Sequence, residues 1–221
     1  MTIGEIMLVA PVIPVLTVDD VSLAYPIAEA LVAGGLRVIE VTLRTPVALD
    51  VIREMARVPN AIVGAGTVLN VFDLSDSLEA GAQFLVSPGL TPELAQASEE
   101  VGVPFLPGVA TASEIMLGLK LGLQHFKFFP AEASGGVAAL RALAGPFPDV
   151  RFCPTGEISF ASAQEWLKLD AVLCVGGSWP VPSADMAAAE IESNARSAAA
   201  LSACSSSNRA PSSGRAWLAH R

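Results

Sequence analysis

Eight short apolar runs, rich in β-branched and aromatic residues, alternate with longer stretches of helical periodicity. That alternation constrains the fold more than any other feature of the sequence. The strand-like runs are residues 12–18, 38–44, 61–67, 84–89, 104–109, 125–130, 151–156 and 171–177. Helical patterns lie near 20–34, 46–57, 70–80, 91–101, 111–121, 135–144 and 160–168, and an eighth fits 184–200. A strand that returns through a helix must pair in parallel with the next, because a tight hairpin joins only antiparallel strands. Eight such units, at about 20–25 residues each, predict an α/β fold: a single (β/α)8 TIM barrel, slightly smaller than usual. A doubly wound open sheet is the alternative, but no Gly-x-Gly-x-x-Gly follows the first run, and so many even units are rare in it.

The punctuation agrees with these boundaries. Asp19 and Asp20, Asn70, Thr91, Thr111 and Ser159 stand where N-caps belong. Gly34, Gly81, Gly102 and Gly122 follow helices, where a left-handed residue is wanted. Residues 1–200 are expected to form the one barrel domain. Residues 201–221 are Ser- and Ala-rich, carry three arginines and no acid, and read as a disordered tail. The other reading of this tail is a segment that docks on a partner subunit through Trp217.

Charge and cysteine usage narrow the function. A net charge of −9 with no basic stripe before the tail argues against nucleic acid. An anionic substrate would need a local cationic or amide-lined site. Cys153, Cys174 and Cys204 are odd in number and lack CxxC spacing, which fits free thiols in a reducing compartment and a cytoplasmic protein. The first residues have no basic region and include Glu5, so they do not read as a signal peptide. No apolar run approaches the ~18 residues of a membrane span.

Ligand sites in such a barrel lie at the C-terminal ends of the strands, and strand residues alternate between its interior and its helix layer. In the second run Ile39, Val41 and Leu43 should face the helices, which points Glu40, Thr42 and Arg44 inward. In the sixth, Phe126 and Phe128 face outward and His125, Lys127 and Phe129 inward. Of the three lysines, Lys120 and Lys168 fall at helix ends and Lys127 alone in a strand. Apolar surroundings destabilise an ammonium, and a Schiff-base nucleophile must be a neutral amine. Lys127 can therefore condense with a ketone. Arg44 can grip a carboxylate with two prongs, and Glu40 can move protons. A structural Lys127–Glu40 or Glu40–Arg44 ion pair is the plainer alternative. The set favours chemistry on a 2-keto acid.

Gly64-Ala65-Gly66-Thr67, Pro154-Thr155-Gly156 and Gly176-Gly177-Ser178 end three of the runs. The last two occupy the usual phosphate cradle of this fold. His125 sits deeper than Lys127 and reads as a hydrogen-bonded core residue. His220 lies in the tail, so neither a zinc site nor a Ser/His/Asp triad has a basis.

At these residues the sequence resembles the bacterial 2-dehydro-3-deoxy-phosphogluconate (KDPG) and 4-hydroxy-2-oxoglutarate aldolase family. The matching stretches are residues 38–44, 64–67, 87–90, 126–132, 151–156 and 176–179. They fall in order across roughly residues 10–182.

The resemblance implies a class I aldolase that needs no metal or cofactor and assembles as a homotrimer. It implies cleavage of KDPG to pyruvate and glyceraldehyde 3-phosphate in the Entner–Doudoroff pathway, and of 4-hydroxy-2-oxoglutarate to pyruvate and glyoxylate. By position it makes Lys127 the Schiff-base lysine, Glu40 the acid/base and Arg44 the carboxylate anchor. Thr67, Pro88 and Phe129 become substrate-binding residues, and Thr155, Gly156, Gly177 and Ser178 the phosphate end.

The sequence departs from the family at Glu157, where a second glycine is usual. Beyond about residue 184 the family's last helix is hard to trace. Two rivals remain at this point: a phosphosugar isomerase or epimerase on the same fold, and a barrel that binds keto acids without turnover.

Overall fold

A computed structural model describes residues 1–201, so all of the expected tail except Leu201 lies outside the described residues. The strands are β1 (Val12–Leu16), β2 (Val38–Thr42), β3 (Ile62–Gly66), β4 (Leu85–Val86), β5 (Phe105–Leu106), β6 (Gly108–Val109), β7 (His125–Phe128), β8 (Arg151–Pro154) and β9 (Val175–Gly177). The helices are α1 (Ile3–Met7), α2 (Ala24–Ala33), α3 (Ala48–Met55), α4 (Val71–Glu79), α5 (Pro92–Val101), α6 (Ala112–Lys120), α7 (Gly136–Ala144), α8 (Phe160–Leu167) and α9 (Ala188–Ala199). Every strand–helix alternation read from the sequence is present. The fold is α/β with parallel strands throughout.

The pairing departs from a continuous eight-stranded ladder. β5-β4-β3-β2-β1-β9 form one sheet and β6-β7-β8 another. The expected run 104–109 is broken at Pro107, which has no N–H to give to a ladder and divides β5 from β6. Its carbonyl is still used, accepting from Lys127 N at 2.9 Å. On the other side β8 meets the β9 segment through isolated bridges, Phe152 with Val172 and Thr155 with Gly176. The offset between these two bridges differs by one residue, so β9 cannot hold one register along β8.

Two apolar clusters divide the buried side chains as the alternation requires. Ile39, Val41, Val63, Ala65, Phe126, Phe128 and Phe152 pack in the larger cluster with the helices. Ile13, Val38, Ile62, Phe84, Val86, Leu106 and Cys153 form the smaller one on the opposite strand face. The smaller cluster is completed by Ile6 and Met7 of α1, an element the sequence reading did not anticipate. Thr2 and Glu5 cap α1 reciprocally. α1 therefore covers the end of the sheet where the strands begin, and the strands' C-terminal ends stay open.

Helix starts follow the expected caps at Asn70, Thr91, Thr111 and Ser159. Two expectations need correction. Asp20 caps a 3-10 turn (Val21–Leu23) that precedes α2, rather than α2 itself. Gly34 is not left-handed, with φ −77°; Gly35 is, with φ 98°. Gly34 is small for a packing reason, because a Cβ there would collide with Ala195 on α9.

Candidate active site

β2 and β7 deliver the two charges at the centre of the site. Lys127 Nζ donates to Glu40 Oε1 at 3.1 Å. The two residues are 6 % and 3 % exposed, so this is a buried ion pair from two strands 87 residues apart in sequence. Alternation along β2 requires the inward turn of Glu40, since Ile39 and Val41 belong to the outer cluster. Gly66 at the end of β3 makes space for it, because a Cβ there would strike the Glu40 carboxylate. Phe129 places its ring centroid 5.4 Å from Lys127 Nζ. A buried ion pair recovers its desolvation cost poorly. Its placement at the edge of a cavity is what distinguishes it from a structural link.

That cavity encloses about 430 Å³. Lys127, Arg44, Phe129, Thr155, Gly156, Gly177 and Ser178 line it, which brings seven of the expected site residues together. Glu40 sits behind Lys127 and does not line it. Arg44 is exposed on a turn just beyond β2, and no hydrogen bond or ion pair engages its guanidinium among the described residues. Strand β2 ends at Thr42, two residues short of the expected run. The hydroxyl of Thr42 donates to the Leu16 carbonyl at 2.8 Å and meets the Thr17 hydroxyl at 2.9 Å, tying β2 to β1.

Thr67 and Pro88 do not line the cavity. Both are half-buried at strand ends. Thr67 adopts φ 61°, an uncommon conformation for a β-branched residue. The Pro88 carbonyl faces Gly108, where a Cβ would collide with it. Thr17, Val18, Ile158, Val181, Pro182, Ser183 and Ala184 line the cavity and were not singled out from the sequence. Thr17 was legible, since it continues the inward parity of Ile13 and Val15. The 181–184 segment carries no periodicity that would have marked it.

His125 is half-buried and makes no side-chain hydrogen bond among the described residues, contrary to the sequence reading. It lies beneath Gly4 of α1, where a Cβ would come within 2.6 Å of its Nε2. Burial, and secondarily the like charge of Arg151, push its pKa below the ordinary value. Cys153 and Cys174 are buried free thiols, and burial raises the Cys174 thiol well above its usual range. The described residues contain no group of three or more His, Cys, Asp or Glu able to hold a metal ion. No helix among them is long and apolar enough to cross a membrane.

A buried lysine paired to a glutamate, lining one cavity with an arginine that has no partner among the described residues, is an arrangement suited to imine chemistry on a keto acid. The family model for KDPG and KHG aldolases matches residues 3–195. The chain belongs to that aldolase family. The KHG/KDPG aldolase of Escherichia coli strain K12 is 58% identical over 180 residues, covering 81% of this chain and 84% of that one. The crystal structure of the 2-keto-3-deoxy-6-phosphogluconate aldolase of Zymomonas mobilis superposes with a TM-score of 0.90 at 53% identity, over 91% of this chain and 98% of that one. A KDPG aldolase from Legionella pneumophila, crystallised with pyruvate captured as a covalent carbinolamine, superposes with a TM-score of 0.87 at 44% identity, over 90% and 98% of the two chains. The family match extends well into α9, so the aldolase fold persists past residue 184, where the sequence alone lost it.

Proposed function

We propose that this aldolase cleaves 2-dehydro-3-deoxy-6-phosphogluconate to pyruvate and glyceraldehyde 3-phosphate, and 4-hydroxy-2-oxoglutarate to pyruvate and glyoxylate, through a Schiff base on Lys127. The observation that carries this reading is the 3.1 Å contact between Lys127 Nζ and Glu40 Oε1 at the cavity wall. It gives the nucleophile a proton acceptor within direct reach.

In this cycle Glu40 accepts a proton from Lys127, and the freed amine attacks the C2 ketone. Arg44 holds the C1 carboxylate by a charge-assisted fork, a contact assigned also to Thr67. Glu40 returns its proton to the carbinolamine hydroxyl, whose loss as water leaves an iminium ion and Glu40 again a carboxylate. Glu40, through a water, then takes the proton of the C4 hydroxyl. The C3–C4 bond breaks, its electron pair enters the enamine, and the aldehyde departs. Protonation at C3 and addition of water release pyruvate and restore the amine. Phe129, with its ring near Nζ, keeps this end of the cavity poor in water, and Pro88 is assigned to substrate binding from a strand end outside the cavity's lining. Thr155, Gly156, Gly177 and Ser178, at the ends of β8 and β9, hold the phosphate.

The same reading extends to architecture and setting. Pro107 interrupts a single strand, so β5 and β6 count as one, and the bridges from β8 to β9 close the circuit into one (β/α)8 barrel spanning residues 1–200. We assign a homotrimer, in which a neighbouring copy would cover the exposed Leu69, Val71 and Phe72. The enzyme is placed in the cytoplasm, in the Entner–Doudoroff pathway.

Borohydride reduction in the presence of pyruvate, followed by intact-mass measurement, tests the core of the proposal. Wild type is expected to gain one reduced pyruvyl adduct. Lys127→Ala should gain none and lose nearly all pyruvate release, while Lys120→Ala and Lys168→Ala, exposed at helix ends, should behave as wild type. An adduct that persists in Lys127→Ala would remove the assignment.

A further inference from the structure

The cavity carries one carboxylate that the aldolase cycle does not use. Glu157 lines it next to Gly156 and Ile158, and Ser178 lines it too. Its side chain is exposed and has no hydrogen bond or ion pair among the described residues. Its backbone is left-handed, with φ 57°, a costly conformation for a residue with a side chain. The segment cannot relax freely, because Gly156 before it is also at positive φ, 114°, and Ile158 after it is anchored in the core.

A second recess of about 450 Å³ adjoins this rim through Thr17, Ser183 and Ala184, and it adds Asp19 and Asp185. Across both recesses the cationic side chains are Arg44 and Lys127. In the cycle above both are committed to the keto-acid end of the substrate. Among the described residues, the far end of a longer substrate therefore meets hydroxyls and carboxylates but no side-chain cation. A carboxylate accepts hydrogen bonds from hydroxyl groups and repels a phosphate dianion.

We propose that Glu157 is a specificity-determining residue that weakens the cavity's grip on a phosphorylated substrate and favours 2-keto-3-deoxy sugar acids ending in free hydroxyls. This inference rests on the aldolase reading. Backbone amides after β8 and β9 still offer donors to a phosphate, so Glu157 acts on the ratio between the two substrate classes and acts through KM. Exposure makes the repulsion sensitive to salt.

The test is pyruvate release from 2-keto-3-deoxy-6-phosphogluconate and from its unphosphorylated counterpart. Rates are expressed relative to those with 4-hydroxy-2-oxoglutarate, which carries no phosphate and reports folding and chemistry in each variant. Glu157→Gln removes the charge and keeps the left-handed backbone cost, whereas Glu157→Gly removes both. In both variants kcat/KM for the phosphorylated substrate should rise about threefold to tenfold relative to the unphosphorylated one, mostly in KM. In wild type the same ratio should rise as ionic strength goes from about 0.02 M to about 0.5 M, and in the variants it should move less. An unchanged ratio in Glu157→Gln, or a gain confined to Glu157→Gly, overturns the inference, because backbone strain and not charge would then be the cause. Wild type that releases no pyruvate from any of these substrates fails at the aldolase reading itself and takes the inference with it.

Discussion

The chemistry of this site depends on how two residues of opposite charge are held 3.1 Å apart out of water. Neither can leave the interior without turning its strand over, since their neighbours Ile39, Val41, Phe126 and Phe128 are fixed in the outer cluster. Glu40 has a second constraint in Gly66, which leaves no space for a side chain beside its carboxylate. Glu40→Gln keeps the size and part of the hydrogen bonding of this residue but removes the proton acceptor. Pyruvate release should fall by about 10²–10⁴, and borohydride trapping should slow as well, because imine formation also moves protons. Stopped-flow or coupled-assay rates near wild type would be incompatible with the acid/base role.

Among the elements, α1 and the strand ends divide stability from function. The strands' starting ends are sealed by Ile6 and Met7 against Ile13, Val38, Ile62 and Phe84, whereas the cavity lies among residues at and beyond the other ends. Met7 is fully buried. Truncating such a methionine removes its packing and leaves a cavity, at a cost of about 2–5 kcal/mol. Met7→Ala should therefore lower the midpoint of denaturant unfolding substantially while the molecules that remain folded keep near-normal kcat and KM. A variant with normal stability and damaged kinetics would show that α1 is coupled to the active site. At the other end, α8 is capped by Ser159, two residues after Glu157, in a reciprocal cap formed with Ser162. The strained turn is thus pinned between β8 and a well-capped helix.

For the whole molecule, His125 predicts a dependence of stability on pH. It is held below its ordinary pKa of 6.5 by burial and by Arg151, so the unfolded chain binds a proton that the folded chain resists. The stability contributed by keeping it neutral is present above about pH 6.5. It is lost as pH falls through that value toward the lower folded pKa. His125→Gln should flatten the stability profile as pH falls below about 6.5, an effect tempered by the partial exposure of the ring. Unfolding midpoints that decline equally in both proteins over that range would assign the acid sensitivity to other groups.

Much of this protein could be read before folding. The alternation of strand and helix, the inward parity of Glu40 and Lys127, and the caps at Asn70, Thr91, Thr111 and Ser159 depend on short-range chemistry that a linear sequence carries in full. The family resemblance rested on motifs local in the same sense. What the sequence could not decide were contacts between distant segments. α1 is short and gains its meaning only from the strand ends it covers. Gly34 reads as a helix stop, but it is small because Ala195 on α9 arrives there from the far end of the chain. Thr67 and Pro88 stand at strand ends as expected, yet whether a strand-end residue reaches the cavity depends on the turn beyond it. Arg44 does reach it, from such a turn. The 181–184 segment lines the cavity without any pattern of its own. A side chain's local environment follows from its neighbours in sequence, whereas its partners across the cavity are set by the closure of the whole fold, and only the tertiary structure contains that information.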